Sequence, residues 1–229
     1  MGQIFPFPEN ISTFGQDIDF LFNVITIITG LTFVLVEVAL VVFMIKYRGR
    51  PGAPKAFYTH GNKRLEVIWT TATAVIVLIL GAWSWPLWLN IKDPNRFPPA
   101  QLELGIMVKQ FEWNVTYPGA DGRLGTPDDF TKRNQLHIPV NANVRATLES
   151  EDVIHSFYLP NFRLKQDAVP GMKIPIWFEA AKTGNYEIAC AELCGLGHYR
   201  MKGAVTVHSA EEFNTWSAQQ AATAAAGGN

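Results

Sequence analysis

Residues Val67–Leu89 read VIWTTATAVIVLILGAWSWPLWL and carry no charged side chain. A second apolar block, Phe20–Ile45, has Glu37 as its one charge. Each block exceeds the roughly 20 residues that a helix needs to cross the hydrocarbon core of a bilayer. Neither shows the polar stripe of an amphipathic core helix. The first block is no secretory signal: it is too long, lacks a basic leader, and no small-residue cleavage site follows it. The pattern predicts a membrane-spanning helical hairpin over 20–92, preceded by a short outer segment, 1–19, and followed by a larger domain.

Basic residues set the orientation. Lys46, Arg48, Arg50, Lys55, Lys63 and Arg64 fall in the connector between the blocks, whereas the segment before Phe20 has Glu9, Asp17 and Asp19 but no Lys or Arg. By the positive-inside rule the connector is cytoplasmic and both termini face outward. In a bacterium the large domain then lies on the periplasmic or external side of the inner membrane. Trp83, Trp85 and Trp88 supply an aromatic belt at the outer end of the second span. Glu37 is costly in mid-bilayer. It is expected to face other helices or a hydrated pocket, either as a hydrogen-bonded carboxyl or in proton transfer. Glu66 opens the second span at the cytoplasmic surface, where the helix dipole favours a carboxylate.

After the linker Asp93–Pro99 the sequence breaks into short β segments: 102–111, 135–139, 144–148, 155–159, 174–178, 186–189 and 203–207. Turn residues such as Pro118-Gly119, Val169-Pro-Gly171 and Thr183-Gly-Asn185 separate them. Such spacing predicts an all-β sandwich or barrel over 93–216. From Asn90 to Asn229 there are 13 basic and 15 acidic residues, and no basic stripe marks a nucleic-acid partner. Ser209-Ala-Glu-Glu212 has the form of a capping box for a short terminal helix, and the Ala-rich stretch 217–229 is expected to be a flexible tail. The segment Asp121–Asp129 is acidic and Gly-rich, suited to calcium or to a solvated hairpin loop.

The chemistry concentrates in Cys190-Ala-Glu-Leu-Cys194-Gly-Leu-Gly-His198-Tyr-Arg-Met201, which holds both cysteines of the chain. Thiolates, imidazole and thioether in one short loop suit copper better than a hard cation. A disulfide between the cysteines would close a very small ring and leave His198 and Met201 unexplained. On an oxidising face, thiols escape pairing when a metal holds them as thiolates. A second imidazole is wanted, and His155 in Glu151-Asp-Val-Ile-His-Ser-Phe157 supplies it at the start of a strand. His60, His137 and His208 have no such company and read as surface or structural residues. No Cys-x-x-Cys-His occurs, so no c-type haem attachment is expected; no cysteine follows the N-terminus, so neither is a lipid anchor.

These residues resemble subunit II of the haem-copper cytochrome oxidases. The likeness takes in Glu66-Val-Ile-Trp-Thr70, Gln110-Phe-Glu-Trp113, Asp152-Val-Ile-His-Ser-Phe157, Leu164–Gly171 and the ligand loop. It implies a two-helix transmembrane hairpin followed by a cupredoxin-like Greek-key sandwich with two copper ions in a CuA centre. Cys190 and Cys194 would bridge both coppers; His155 and Met201 would complete one, and His198 with the Glu192 carbonyl the other. The Glu192 side chain would hold magnesium or manganese against subunit I, and Glu66 would stand at a proton pathway into that subunit. Phe111 and Trp113, with Asp152, would mark where electrons arrive from a c-type cytochrome; Glu112 adds a charge that the usual family pattern lacks and is expected, with Asp152, to help orient the donor. The family usually has tryptophan where this chain has Phe111. The implied partners are the other oxidase subunits, the cytochrome and membrane lipid. The implied role is passing electrons to subunit I for oxygen reduction coupled to proton translocation. A nitric-oxide reductase with a copper subunit fits the same residues, and a membrane-anchored copper chaperone fits fewer of them.

Overall fold

The computed structural model describes residues 7–52, 55 and 57–227. The first five residues of the expected outer segment, and Pro6, lie outside them. The described residues divide into two compact units, one within 19–88 and one combining 7–18 with 89–227.

The first unit is helical. Helix α1 (Gly15–Lys46) and helix α2 (Lys63–Lys92) contain the two apolar blocks. At 32 residues α1 is about 48 Å long, and α2 is only slightly shorter, so both exceed the ~30 Å hydrocarbon core. α1 begins before the apolar block itself, with Asp17 in its first turn. α2 is started by Asn62, whose Oδ1 accepts the backbone N–H groups of Arg64 and Leu65 at 3.1 and 3.2 Å. Glu66 sits in that first turn, exposed, and Glu37 is exposed midway along α1. Phe20 and Trp83 meet edge to face at 5.7 Å.

The second unit is a sandwich of two five-stranded sheets. One sheet has the order β3 (Phe130–Arg133), β2 (Glu112–Tyr117), β1 (Leu102–Lys109), β5 (Val144–Ser150), β8 (Ile174–Phe178). The other runs β4 (Gln135–Pro139), β10 (Lys202–His208), β9 (Gly184–Cys190), β6 (His155–Leu159), β7 (Leu164–Ala168). β1 pairs with β5, and β4 with β10, in parallel; the other pairs are antiparallel. Alternate residues point inward, as the two-residue period of a strand requires. Leu104, Ile106 and Val108 of β1 and Leu136, Ile138, Phe157, Leu159 and Val205 of the other sheet are all fully buried in the core. This is the expected Greek-key sandwich, with three strands that hydropathy did not single out. The expected first strand, 102–111, stops at Lys109, reverses at Gln110-Phe111 and returns as β2. β3 (FTKR) and β7 (LKQDA) are polar edge strands, so they lack an apolar signature. Pro175 is accommodated because β8 is an edge strand.

The segment before α1 belongs to this unit. Ile11 N–H donates to Asn161 O at 2.9 Å, Ala181 N–H donates to Ile11 O at 2.7 Å, and Ile11 and Phe14 are buried. Trp177 Nε1 donates to Asn90 O at 2.9 Å, tying the end of α2 to β8.

The C-terminal segment corrects an expectation. Helix α3 runs Ala210–Gly227 without a break, so 217–227 is helical, as the high helix propensity of alanine allows; 228–229 lie outside the described residues. The capping box is present: Glu212 N–H donates to Ser209 Oγ at 3.2 Å, and Ser209 N–H donates to Glu212 Oε2 at 2.9 Å. Trp216 then stacks on His137 at 4.2 Å and 17°, and meets Tyr117 edge-on at 5.2 Å. His137 Nδ1 and His208 Nε2 are 2.8 Å apart. Burial, aided by His208 and Lys132, lowers the pKa of His137 to about 4; burial also lowers that of His208. The loop 121–129 closes on itself. Asp128 and Asp129 accept from Thr126 Oγ1, and Gly125 N–H donates to Asp129 at 2.7 Å.

Candidate metal centre

One end of the sandwich carries the ligand loop. Antiparallel pairing of β6 with β9 sets Phe157 opposite Cys190, so the start of β6 and the end of β9 come together. The chain between β9 and β10 then folds back, held by Cys190 N–H donating to Met201 O at 3.2 Å. A short 3-10 turn, His198–Arg200, returns it to β10.

Four sulfur or nitrogen ligand atoms of the loop converge inside this fold-back. The sulfurs of Cys190 and Cys194 lie 3.7 Å apart with both thiols free, against about 2.05 Å for a bonded pair. Cys194 Sγ is 3.7 Å from His198 Nδ1 and 3.6 Å from Met201 Sδ. Cys190 Sγ is 3.2 Å from the Glu192 carbonyl. One ligand nitrogen of His155 and the two sulfurs lie within 4.8 Å of one another. All six predicted ligands are therefore brought to one place.

Burial and hydrogen bonding show what this place lacks. His155 is 0% exposed. Its Nε2 is 2.8 Å from Asp152 Oδ1, while its Nδ1 is buried with no hydrogen-bond partner among the described residues. Asp152 accepts, so Nε2 carries the proton and Nδ1 is left as the unprotonated nitrogen of the ring. An unpartnered acceptor in a dry interior costs free energy unless something binds it. Burial and the adjacent Cys190 thiol push the Cys194 thiol up to about 12. Without a cation it keeps its proton at neutral pH; a metal would hold it as thiolate. A soft or borderline transition ion satisfies both demands, and the S, N and thioether donor set suits copper.

Neighbouring residues support these ligands. Burial opposes ionisation of Asp152, but hydrogen bonds from Gln110 N–H, His155 and Val153 N–H outweigh it and lower its pKa. Gln110 also donates from Nε2 to Cys194 O at 2.6 Å. The Phe111 ring lies against Gly195 and Gly197, so close that a Cβ on Gly197 would come within 2.6 Å of it. Phe111 is half-buried on this end of the domain.

Two expectations change. Trp113 is 0% exposed, packed edge-on against Phe157 at 5.4 Å and His155 at 6.4 Å. β2 turns it into the core, so it offers no surface, whereas Phe111 is half-buried. Glu112 is bound to Arg133 and lies 3.6 Å from Lys109, so its charge is neutralised within the domain. Asp152 is likewise engaged inward. The Glu192 side chain is exposed, while its carbonyl meets Cys190. Glu66 lies in the helical unit and the copper ligands in the β unit. No local pattern marks Gln110 as a support of the ligands, and only the i,i+3 spacing of Asp152 and His155 hints at that role for Asp152.

The chain matches two family models: "Cytochrome C oxidase subunit II, transmembrane domain" over residues 1–87 and "Cytochrome C oxidase subunit II, periplasmic domain" over 112–208. It is 33% identical over 232 residues to the alternative cytochrome c oxidase subunit 2 of Bradyrhizobium diazoefficiens, covering 92% of this chain and 82% of that one. The cytochrome c oxidase subunit 2 of Thermostichus vulcanus is 32% identical over 270 residues, covering 96% and 80%. Among solved structures, the periplasmic domain of subunit II of cytochrome oxidase from Bradyrhizobium japonicum is 34% identical. It covers 56% of this chain and 98% of that one, with a TM-score of 0.49.

Proposed function

The chain belongs to the cytochrome c oxidase subunit II family, and from that premise we propose that it is the electron-accepting copper subunit of a respiratory haem-copper oxidase. It takes electrons from a c-type cytochrome and passes them to haem in subunit I, where oxygen is reduced to water and protons are translocated. The observation that carries this reading is the buried, unpartnered Nδ1 of His155 beside two unbonded sulfurs 3.7 Å apart.

Cys190 Sγ, Cys194 Sγ, His155 Nδ1, Met201 Sδ, His198 Nδ1 and the Glu192 carbonyl would hold two copper ions, with the two thiolates serving both, and the pair would supply a one-electron redox centre. Asp152 fixes the tautomer of His155 and, by accepting its Nε2–H, raises the basicity of Nδ1. Burial of His155, Cys194 and Met201 would limit the rearrangement of those ligands on a change of redox state. Phe111, with its ring on the glycines of the loop, offers the donor a packed route inward. The exposed Glu192 side chain would help hold a magnesium or manganese ion at the contact with subunit I, and Glu66 would admit protons at the cytoplasmic mouth of a pathway into that subunit.

The protein resides in a bacterial inner membrane with its β domain and both termini on the periplasmic side. The basic connector between α1 and α2 supports that orientation. So does the inclusion of residues 7–18 in the same unit as the β domain.

Copper loading of the full-length chain in detergent, with metal quantitation and EPR, tests the proposal. Two coppers per chain and hyperfine splitting from one electron shared equally by two nuclei are expected. The signal of an isolated single copper, at one ion per chain, would overturn it.

A further inference from the structure

The six ligands come from two stretches of the same sheet, the start of β6 and the β9–β10 loop. Pairing of β6 with β9 fixes Cys190 relative to His155, aided by Ala191 N–H donating to Ser156 O at 3.0 Å. Beyond Ala191 the loop leaves the ladder, and Cys194 lies on this unladdered part. A ligand on such a loop needs a brace from elsewhere to keep its sulfur in place.

Gln110 reaches it from the opposite sheet. It follows the last residue of β1, which belongs to the sheet that carries no ligand. Its backbone N–H donates to Asp152 Oδ2 at 2.7 Å, which leaves Oδ1 of the same carboxylate for His155 Nε2. Its side-chain amide donates to Cys194 O at 2.6 Å. Gly195 has φ +129, and a Cβ there would fall 2.6 Å from the amide nitrogen of Gln110, so this position must be glycine for the amide to approach. One residue thus holds the histidine arm through its backbone and the cysteine arm through its side chain.

We propose that Gln110 is a positioning residue of the copper centre: its side-chain amide braces the Cys194 arm across the sandwich and thereby sets how the bridging sulfur meets the two ions. The inference rests on the copper reading and adds a residue that touches no metal. Because the two arms are held by different groups of Gln110, a side-chain substitution releases Cys194 and leaves the Asp152–His155 arm intact. The backbone N–H survives any non-proline replacement.

The test compares wild type, Gln110→Met and Gln110→Ala in the full-length, copper-loaded chain, with far-UV circular dichroism reporting the fold of each. Methionine keeps the length of glutamine and removes the donor. Both variants are expected to release copper to a chelator about ten- to a hundredfold more readily, the usual effect of losing an outer partner of a ligand. Both should also show a displaced reduction potential and copper hyperfine splitting that is no longer equal over two nuclei. If Gln110→Met behaves as wild type, packing volume alone matters and the bracing role is wrong. Unchanged spectra, potential and retention in both variants would also overturn it. A wild type that binds no copper pair would instead remove the copper reading on which the inference stands.

Discussion

Nε2 of His155 lies 2.8 Å from Oδ1 of Asp152, three residues earlier, and this leaves Nδ1 as the one free nitrogen in a fully buried ring. The pair converts an ordinary strand-start histidine into a directed ligand. Its tautomer is set by a carboxylate that is itself held by the backbone of Gln110.

His155→Ala should therefore remove a terminal ligand and make the two coppers unequal, seen as loss of the symmetric hyperfine pattern. Met201→Leu removes a weak thioether while keeping most of its volume. It should leave two coppers bound and shift only the potential, measured by redox titration of the visible bands.

Electron uptake should depend on Phe111. Phe111→Ala removes the ring that rests on Gly195 and Gly197, so stopped-flow reduction by a competent cytochrome should slow while the potential of the site stays put. Glu112 and Asp152 are both engaged within the domain, so few unpaired acidic charges remain here to steer a basic donor. The rate should vary only shallowly with ionic strength, unlike a docking face built on exposed charge. A steep fall with salt would assign docking to other acidic residues.

Glu66→Gln, in the assembled oxidase, should lower steady-state turnover and leave the copper spectrum and the first electron transfer unchanged. Equal turnover would return Glu66 to a plain helix-start carboxylate.

Acid should loosen the contact of α3 with the sandwich. His137 and His208 have folded-state pKa values below the ordinary histidine range, His137 at about 4. The stability they contribute is thus fully present above about pH 6.5, the unfolded value, and is lost as pH falls toward 4. Protonation would set two cations 2.8 Å apart beside the Trp216 ring. Lys132 opposes the charged form of His137, and Glu212 favours that of His208. The melting temperature of the metal-free chain should drop between pH 7 and 5, and a His137→Gln/His208→Gln variant should drop less. Parallel slopes would show that other groups carry the acid sensitivity.

Ser209→Ala removes the cap of α3 and should cost about 0.5–2 kcal/mol of local stability. Quenching of Trp216 fluorescence by an added solute, stronger in the variant, would report it.

The spans and the ligand loop were legible without coordinates. Composition over a long window decides whether a helix can sit in lipid, and close spacing of Cys190, Cys194, His198 and Met201 restricts what chemistry they can share. Strands with an apolar face, such as β5 and β10, were readable from alternation. The polar edge strands β3 and β7 were not, because half-exposed residues carry little hydropathy signal. The Ala-rich end of α3 misled for a related reason: a tract without apolar periodicity reads as a tail, although its backbone propensity is helical.

Other relationships existed only after folding. Gln110 meets Asp152 and Cys194 across 42 and 84 residues of sequence, Trp113 is turned inward by the reversal at Gln110-Phe111, and Trp216 finds His137. Local sequence determined which ligand atoms the chain carries and that two of its helices can span a membrane, because spacing and hydropathy are properties of neighbouring residues. Tertiary structure decided which nitrogen of His155 is free, which aromatic reaches the surface and what braces Cys194. Those depend on how two sheets pack face to face, which brings together residues that no local pattern connects.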